Sequence, residues 1–220
     1  MPAASSPVSE ARSLRSRPVC RLATAPEERE RHFAIRRAVF CVEQGMFGGA
    51  DDRDSRDDAP DTLHAVGIHA ETFDPDVLAR VAPGKAQCGI EGYFACWERA
   101  VEVFGRGSVT TYVLLGMGER PEHILDGCRR AVEMGVYPFV VPLRPVPGTL
   151  MADSPAPEPD YVARIYSEVS AMIADAGLDH LDAKAGCARC QACSGLSAWE
   201  RLAKREQAGD GDGLLVTQHS

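Results

Sequence analysis

The stretch Val109-Thr110-Thr111-Tyr112-Val113-Leu114-Leu115-Gly116-Met117-Gly118-Glu119-Arg120-Pro121 decides the fold. Its first seven residues are β-branched, aromatic or aliphatic, the mixture that fills a buried strand. A Gly-x-Gly-Glu turn follows, and Pro121 opens a helix at a position where its missing N–H breaks no hydrogen bond. Ile124, Leu125, Cys128, Ala131 and Val132 recur along that helix at helical spacing, and Gly135 ends it. Val136–Val141 is a second apolar run, with Pro138 inside it. Strand, helix and strand in this order make a βαβ unit, so the two strands are expected to run parallel under covering helices.

Working outward, Ala65–Ala70 reads as a short strand, and Phe94, Trp97, Val101 and Phe104 form one stripe of a helix that stops at Gly105. Val162, Ile165, Val169, Met172 and Ile173 stripe a helix from Asp160 to Ala176, and Leu178–Ala183 reads as a last short strand. Three to four βα units are thus expected after residue 65. A complete eightfold barrel takes ~250 residues, so the expected fold class is α/β, a partial (half) TIM-type βα barrel. Its open edges would require cover from another chain. Toward the N-terminus, Val19–Ala23 reads as a strand and a helix runs from Glu27, with Ile35, Ala38, Val39 and Val42 on one face, to Gln44-Gly45. Residues 1–18, rich in Ser, Ala, Pro and Arg, and residues 200–220 are expected to be disordered tails.

The chain has 220 residues, 45% of them hydrophobic, and a net charge of -8. That suffices for a core in one ordinary domain or two small ones. The acidic balance argues against a nucleic-acid binder, which needs clustered Lys and Arg. No run is long and apolar enough to cross a bilayer, and the N-terminus lacks the apolar stretch of a signal peptide. A cytoplasmic protein is expected, so its eight cysteines are read as thiols or metal ligands before disulfides.

Chemistry concentrates in Cys187-Ala188-Arg189-Cys190-Gln191-Ala192-Cys193. A C-x-x-C-x-x-C run lets three thiolates converge from one tight loop, which suits a 4Fe-4S cluster. Zinc uses similar loops, though normally as two separated pairs, and unmetallated thiols are a third reading. A fourth ligand could be solvent, substrate, Cys128 or a residue of another chain. Cys88, Cys96 and Cys128 read as buried small hydrophobes. The polar run from Gly48 to Asp58 is crowded with carboxylates, but it lacks the central Gly and closing Glu of a calcium loop and reads as solvated. Glu119 is expected to cap the helix begun at Pro121.

Three runs at strand ends carry a resemblance: Gly67-Ile68-His69-Ala70-Glu71-Thr72, Gly116-Met117-Gly118-Glu119, and Pro142-Leu143-Arg144-Pro145-Val146-Pro147-Gly148-Thr149. In order and separation, over roughly Val66–Ser197, they resemble the C-terminal half of radical S-adenosylmethionine enzymes of the biotin-synthase and lipoyl-synthase type, in particular a nitrilase-cluster subgroup with a similar terminal C-x-x-C-x-x-C. The resemblance implies that Glu71, Gly116 and Gly118 line an S-adenosylmethionine site. It also implies that Cys187, Cys190 and Cys193 hold an auxiliary 4Fe-4S cluster, and that a small organic substrate loses a hydrogen atom. The family's C-x-x-x-C-x-x-C run for the catalytic cluster does not occur in the chain, which implies a complementary chain supplying the first half-barrel. Arg36–Gly45 with Leu63-His64 resembles the opening of a GNAT N-acetyltransferase, over about Val19–Val66, without that family's pyrophosphate loop. The expected organisation is a tail (1–18), a GNAT-like fragment (19–66), a radical-enzyme-like half-barrel with its cysteine loop (67–199) and a tail (200–220). A join near residues 64–67 admits two alternatives: a catalytically inactive fusion remnant that binds metal, or a GNAT-type acyltransferase.

Overall fold

The structure, a computed structural model, describes residues 25–43, 51–55, 57–59, 68–149, 151–183 and 186–208. The chain divides into two units, one of Arg21–His69 and one that contains everything from Ala70 onward.

In the first unit, α1 (Pro26–Arg36) passes into a wider π-helical turn, Arg37–Glu43. Phe33 and Cys41 are buried, whereas Ile35 and Val42 are 58% and 70% exposed. The apolar stripe read from regular helical spacing is therefore not the buried one, because a π turn takes an extra residue per turn and rotates the row off one face. Three guanidinium groups surround the Phe33 ring, Arg53 nearest at 3.9 Å from its centre. The expected strand Val19–Ala23, the Gln44-Gly45 turn and the join near residues 64–67 lie outside the described residues.

The second unit is built on the βαβ unit that the opening stretch predicts. Strand β1 (Val109–Leu115) pairs in parallel with β2 (Val136–Pro142), from Val109↔Val136 to Leu115↔Pro142. Four helices precede or join them: α2 (Pro75–Val81), α3 (Pro83–Ala86), α4 (Gly89–Phe104) and α5 (Pro121–Met134), which crosses between the strands. Gly135 ends α5 with φ 95, as its place after the apolar row predicts. Pro138 sits in β2, an edge of the described sheet, where a strand tolerates the lost donor.

Alternation and register put Val109, Thr111, Val113 and Leu115 on one face with Val136 and Val140, and Tyr112 and Leu114 on the other with Tyr137, Phe139 and Val141. Ile124, Cys128 and Ala131 of α5 are fully buried in the same core. Phe94 and Trp97 of α4 stack with Phe73, ring centres 5.2–6.2 Å apart. Gly127 makes that approach possible, because a Cβ there would stand 2.0 Å from Cγ of Phe73. After β2 come α6 (Pro159–Asp175), α7 (Gly186–Cys190) and α8 (Leu196–Gln207), with α6 packed along α8.

Three local expectations are corrected. Residues 68–70 carry no strand, and Glu71 alone bridges Val113 in parallel, with Leu114 N donating to its carbonyl at 2.7 Å. Leu178–Ala183 is a 3-10 turn at His180–Asp182 instead of a strand, because the Asp179 carboxylate accepts from Leu181 N (2.8 Å) and stabilises the turn. The tail expected from residue 200 continues α8 to Gln207, held by buried Leu196 and Glu200. The described residues of this unit thus comprise one complete βαβ unit and a rudimentary third parallel strand at Glu71.

Candidate functional site

Helical geometry in α7 sets Cys187 and Cys190 on the same side of one turn. Gln191 then takes φ 58 and turns the chain, so that Cys193 follows close behind. The turn is fastened by Gln191 N to Cys187 O (2.7 Å) and by Ser194 Oγ to Val140 O of β2 (2.6 Å). All three thiols are free of disulfides; Cys187 and Cys193 are half-buried against the core and Cys190 is exposed.

Beneath the turn lies Tyr112 of β1, its ring held edge-on by Phe139 at 5.3 Å. The Tyr112 hydroxyl is hydrogen-bonded to Cys187. Its phenol is pushed up by burial first, then by that bond and by electrostatic interaction with its neighbours. Tyr93 is pushed up too, by burial and then by Cys88 and Glu71. Glu71 bears electrostatically on both phenols, and it forms an ion pair with Lys85.

Backbone strain marks the cysteine turn at Gln191 and the bridge to β1 at Glu71. Glu71 (φ 68) and Gln191 (φ 58) are the two non-glycine residues with positive φ among those described. Such conformations cost about 1–3 kcal/mol each and cluster where a side chain must be held for a purpose. The structure sets Cys187 against Tyr112, which reads in sequence only as a strand residue.

Gly116 and Gly118 lie elsewhere, in the loop after β1. Both have positive φ, 98 and 88, which suits glycine alone; Pro157 stands 3.0 Å from where a Gly116 side chain would begin and Arg80 3.1 Å from that of Gly118. The Glu119 carboxylate does not cap α5. It folds back to accept from Gly116 N and Met117 N, both at 2.8 Å, and from Tyr161 Oη at 2.7 Å. Two backbone donors within reach compete better than the helix end, whose cap residue Arg120 makes no side-chain cap bond. Next to it, Asp74 caps α2 and accepts from Arg120 N and Nε. Burial alone would push Asp74 up, but the Arg120 and α2 donors outweigh it and lower its pKa to about 2.

The other cysteines separate clearly. Cys128 is fully buried and its thiol is pushed up by burial, so it is a core residue and not a fourth ligand. Cys88 is exposed, against the expectation of burial. In the first unit the Asp-rich loop is not a cation cage, because Arg36 Nε bonds Asp52 at 2.7 Å and Nη1 bonds Asp57 at 2.6 Å. A surface cleft of about 430 Å³ lined by Phe94, His123, Asp126 and Arg130 lies between α4 and α5, and none of the cysteine turn lines it.

As a donor set, three thiols on one turn, two of them half-shielded, fit a cluster ligated through thiolate, which needs cysteine sulfur and partial exclusion of water. Among the described residues, the group whose ligand atoms all lie within 4.8 Å of one another is Asp179, His180 and Glu200, not the cysteines.

Comparison with known proteins adds one partial match. Over 125 residues the chain is 34% identical to bacteriochlorophyllide c C-7(1)-hydroxylase of Chlorobaculum limnaeum, covering 54% of this chain and 30% of that protein. The chain thus spans less than a third of the length of the curated relative it matches. No family model matches, and no solved structure matches. No helix among the described residues is long and apolar enough to cross a membrane.

Proposed function

We propose that this chain is the C-terminal part of an iron–sulfur enzyme of the radical S-adenosylmethionine class, with Cys187, Cys190 and Cys193 as ligands of an auxiliary 4Fe-4S cluster. The observation that carries the reading is three free thiols on one turn that is fastened to β2, with the Tyr112 hydroxyl bonded to Cys187. The spread of the thiols supports a multi-iron cluster over one zinc ion, whose tetrahedral thiolates would lie ~3.8 Å apart at Zn–S distances of ~2.3 Å. A partial likeness to a hydroxylase, an enzyme that by name acts at a carbon position of its substrate, agrees with chemistry at a C–H bond.

A cluster bound there would supply single-electron transfer or an open iron for substrate. The chain's own residues have distinct tasks. Tyr112 donates to the Cys187 sulfur and fixes its orientation. Glu71, steadied by Lys85, accepts from hydroxyl or amino groups of the adenosyl ligand. Gly116 and Gly118, the other positions the resemblance assigns to that ligand, would have to give up the present contacts of their loop with Glu119, Pro157 and Arg80 to receive it. A half-barrel fold, a small organic substrate and a complementary half supplied by another chain or by further sequence belong to the same proposal.

The test is iron and acid-labile sulfide after anaerobic purification, followed by S-adenosylmethionine cleavage once a complementary half is added. About four of each per chain support the reading. Zinc without sulfide would replace it with a structural metal site.

A further inference from the structure

The cysteine turn is bracketed by a buried polar network that its chemistry does not need. Glu200 on α8 is 1% exposed, an unusual place for a carboxylate. Tyr137 of β2 donates to its Oε1, and His180 Nδ1 lies 3.2 Å from its Oε2. His180 Nδ1 also lies 3.4 Å from Asp179 Oδ1, and Lys204 Nζ bonds Asp179 Oδ2 at 2.5 Å. Two carboxylates are thus met by an ammonium, an imidazole and a phenol.

Its position is the informative part. His180 precedes Cys187 by seven residues and Glu200 follows Cys193 by seven. Between them, Gln191 Nε2 lies 3.4 Å from the Tyr137 hydroxyl. The two ends and the middle of the segment therefore meet at one point on β2. An apolar pair would hold α8 at least as tightly, but it would let the segment slide; directional bonds fix its register. Burial, and next the charge of Glu200, push the Tyr137 phenol up and keep it a donor.

We propose that Glu200, gripped by Tyr137 and His180, is the positioning residue that holds the three cysteines in place for ligation. The proposal rests on the metal-binding reading for its purpose, but its physical content is testable without metal. Closing the segment's ends lowers the number of arrangements of the three thiols, and so raises the fraction of chains ready to bind.

The experiment is thiol labelling of the metal-free protein, resolved by mass spectrometry, in Glu200→Ala, Glu200→Gln and His180→Ala. Cys128, fully buried in α5, reports global unfolding in the same sample. Labelling of Cys187 and Cys193 is expected to quicken about tenfold or more in Glu200→Ala and His180→Ala while Cys128 stays protected, as local opening predicts. Glu200→Gln keeps the shape and one acceptor oxygen for Tyr137, and its NH2 can donate to His180 Nδ1 in the other tautomer, so it is expected to restore most of the protection. Unchanged rates at Cys187 and Cys193, or rates that rise only together with Cys128, would overturn the proposal. Iron uptake by the same variants separates the two ideas: quickened labelling in a protein that takes up no iron leaves the clamp standing and removes the cluster.

Discussion

Two regions at the sheet differ in how completely their polar groups are used. In the loop after β1, Glu119 satisfies two backbone donors and Tyr161, and nearby Asp74 satisfies Arg120 and the start of α2. The cysteine turn has the opposite character: its backbone is tied down, its thiols carry no disulfide, and the strained Gln191 lies between them. The first arrangement is what a scaffold looks like; the second keeps bonding capacity in reserve. A short motif such as Gly-x-Gly-Glu can thus be legible as a turn and still use its acid structurally.

Variants that break one region and spare the other sharpen this contrast. The largest effect is expected from Cys187→Ala/Cys190→Ala/Cys193→Ala, which should take bound iron to background while shifting unfolding free energy by under about 1 kcal/mol, since these thiols are at most half-buried. Gly127→Ala should do the reverse. Its Cβ would collide with the Phe73 ring, and overpacking in a closed core costs about 1–3 kcal/mol or more, read from urea unfolding with metal content per folded chain unchanged. Glu119→Ala should cost about 2–3 kcal/mol, because it strands two backbone donors and a half-buried phenol.

A pH titration probes Asp74. Its folded-state pKa, about 2, lies below the ordinary carboxylate value. The stabilisation is therefore fully present above about pH 4 and is lost as pH falls through 2, an effect on the order of 2 kcal/mol. Asp74→Asn should flatten stability across that window. The smallest effect belongs to Lys85→Ala. Its pair with Glu71 is half-exposed and worth under about 1 kcal/mol, so thermal stability should scarcely move. Glu71→Gly, which relieves the positive φ, should be no less stable than Glu71→Ala.

The βαβ unit was legible because local patterns and tertiary burial agree there: the alternation in β1, the apolar row and Gly135 of α5, and the buried run of β2 all survive in the structure. That the three cysteines share one tight turn was legible from their spacing. Glu200 was not, since a carboxylate in a polar, Lys- and Arg-bearing segment looks like a solvated surface, and only the packing of α8 on α6 buries it. Tyr112 was missed for a related reason: its phenol meets Cys187 across 75 positions of sequence, a contact no periodicity encodes. Glu119 misled because an acid just before a helix has two possible sets of backbone donors, and only the loop's own curvature decides between them.

The most direct test is iron and acid-labile sulfide content of the anaerobically purified chain beside its three-cysteine variant. The account predicts about four irons and four sulfides per chain, absent from the variant, with both proteins equally folded. Iron-free protein after reconstitution, or zinc bound without sulfide, would contradict it.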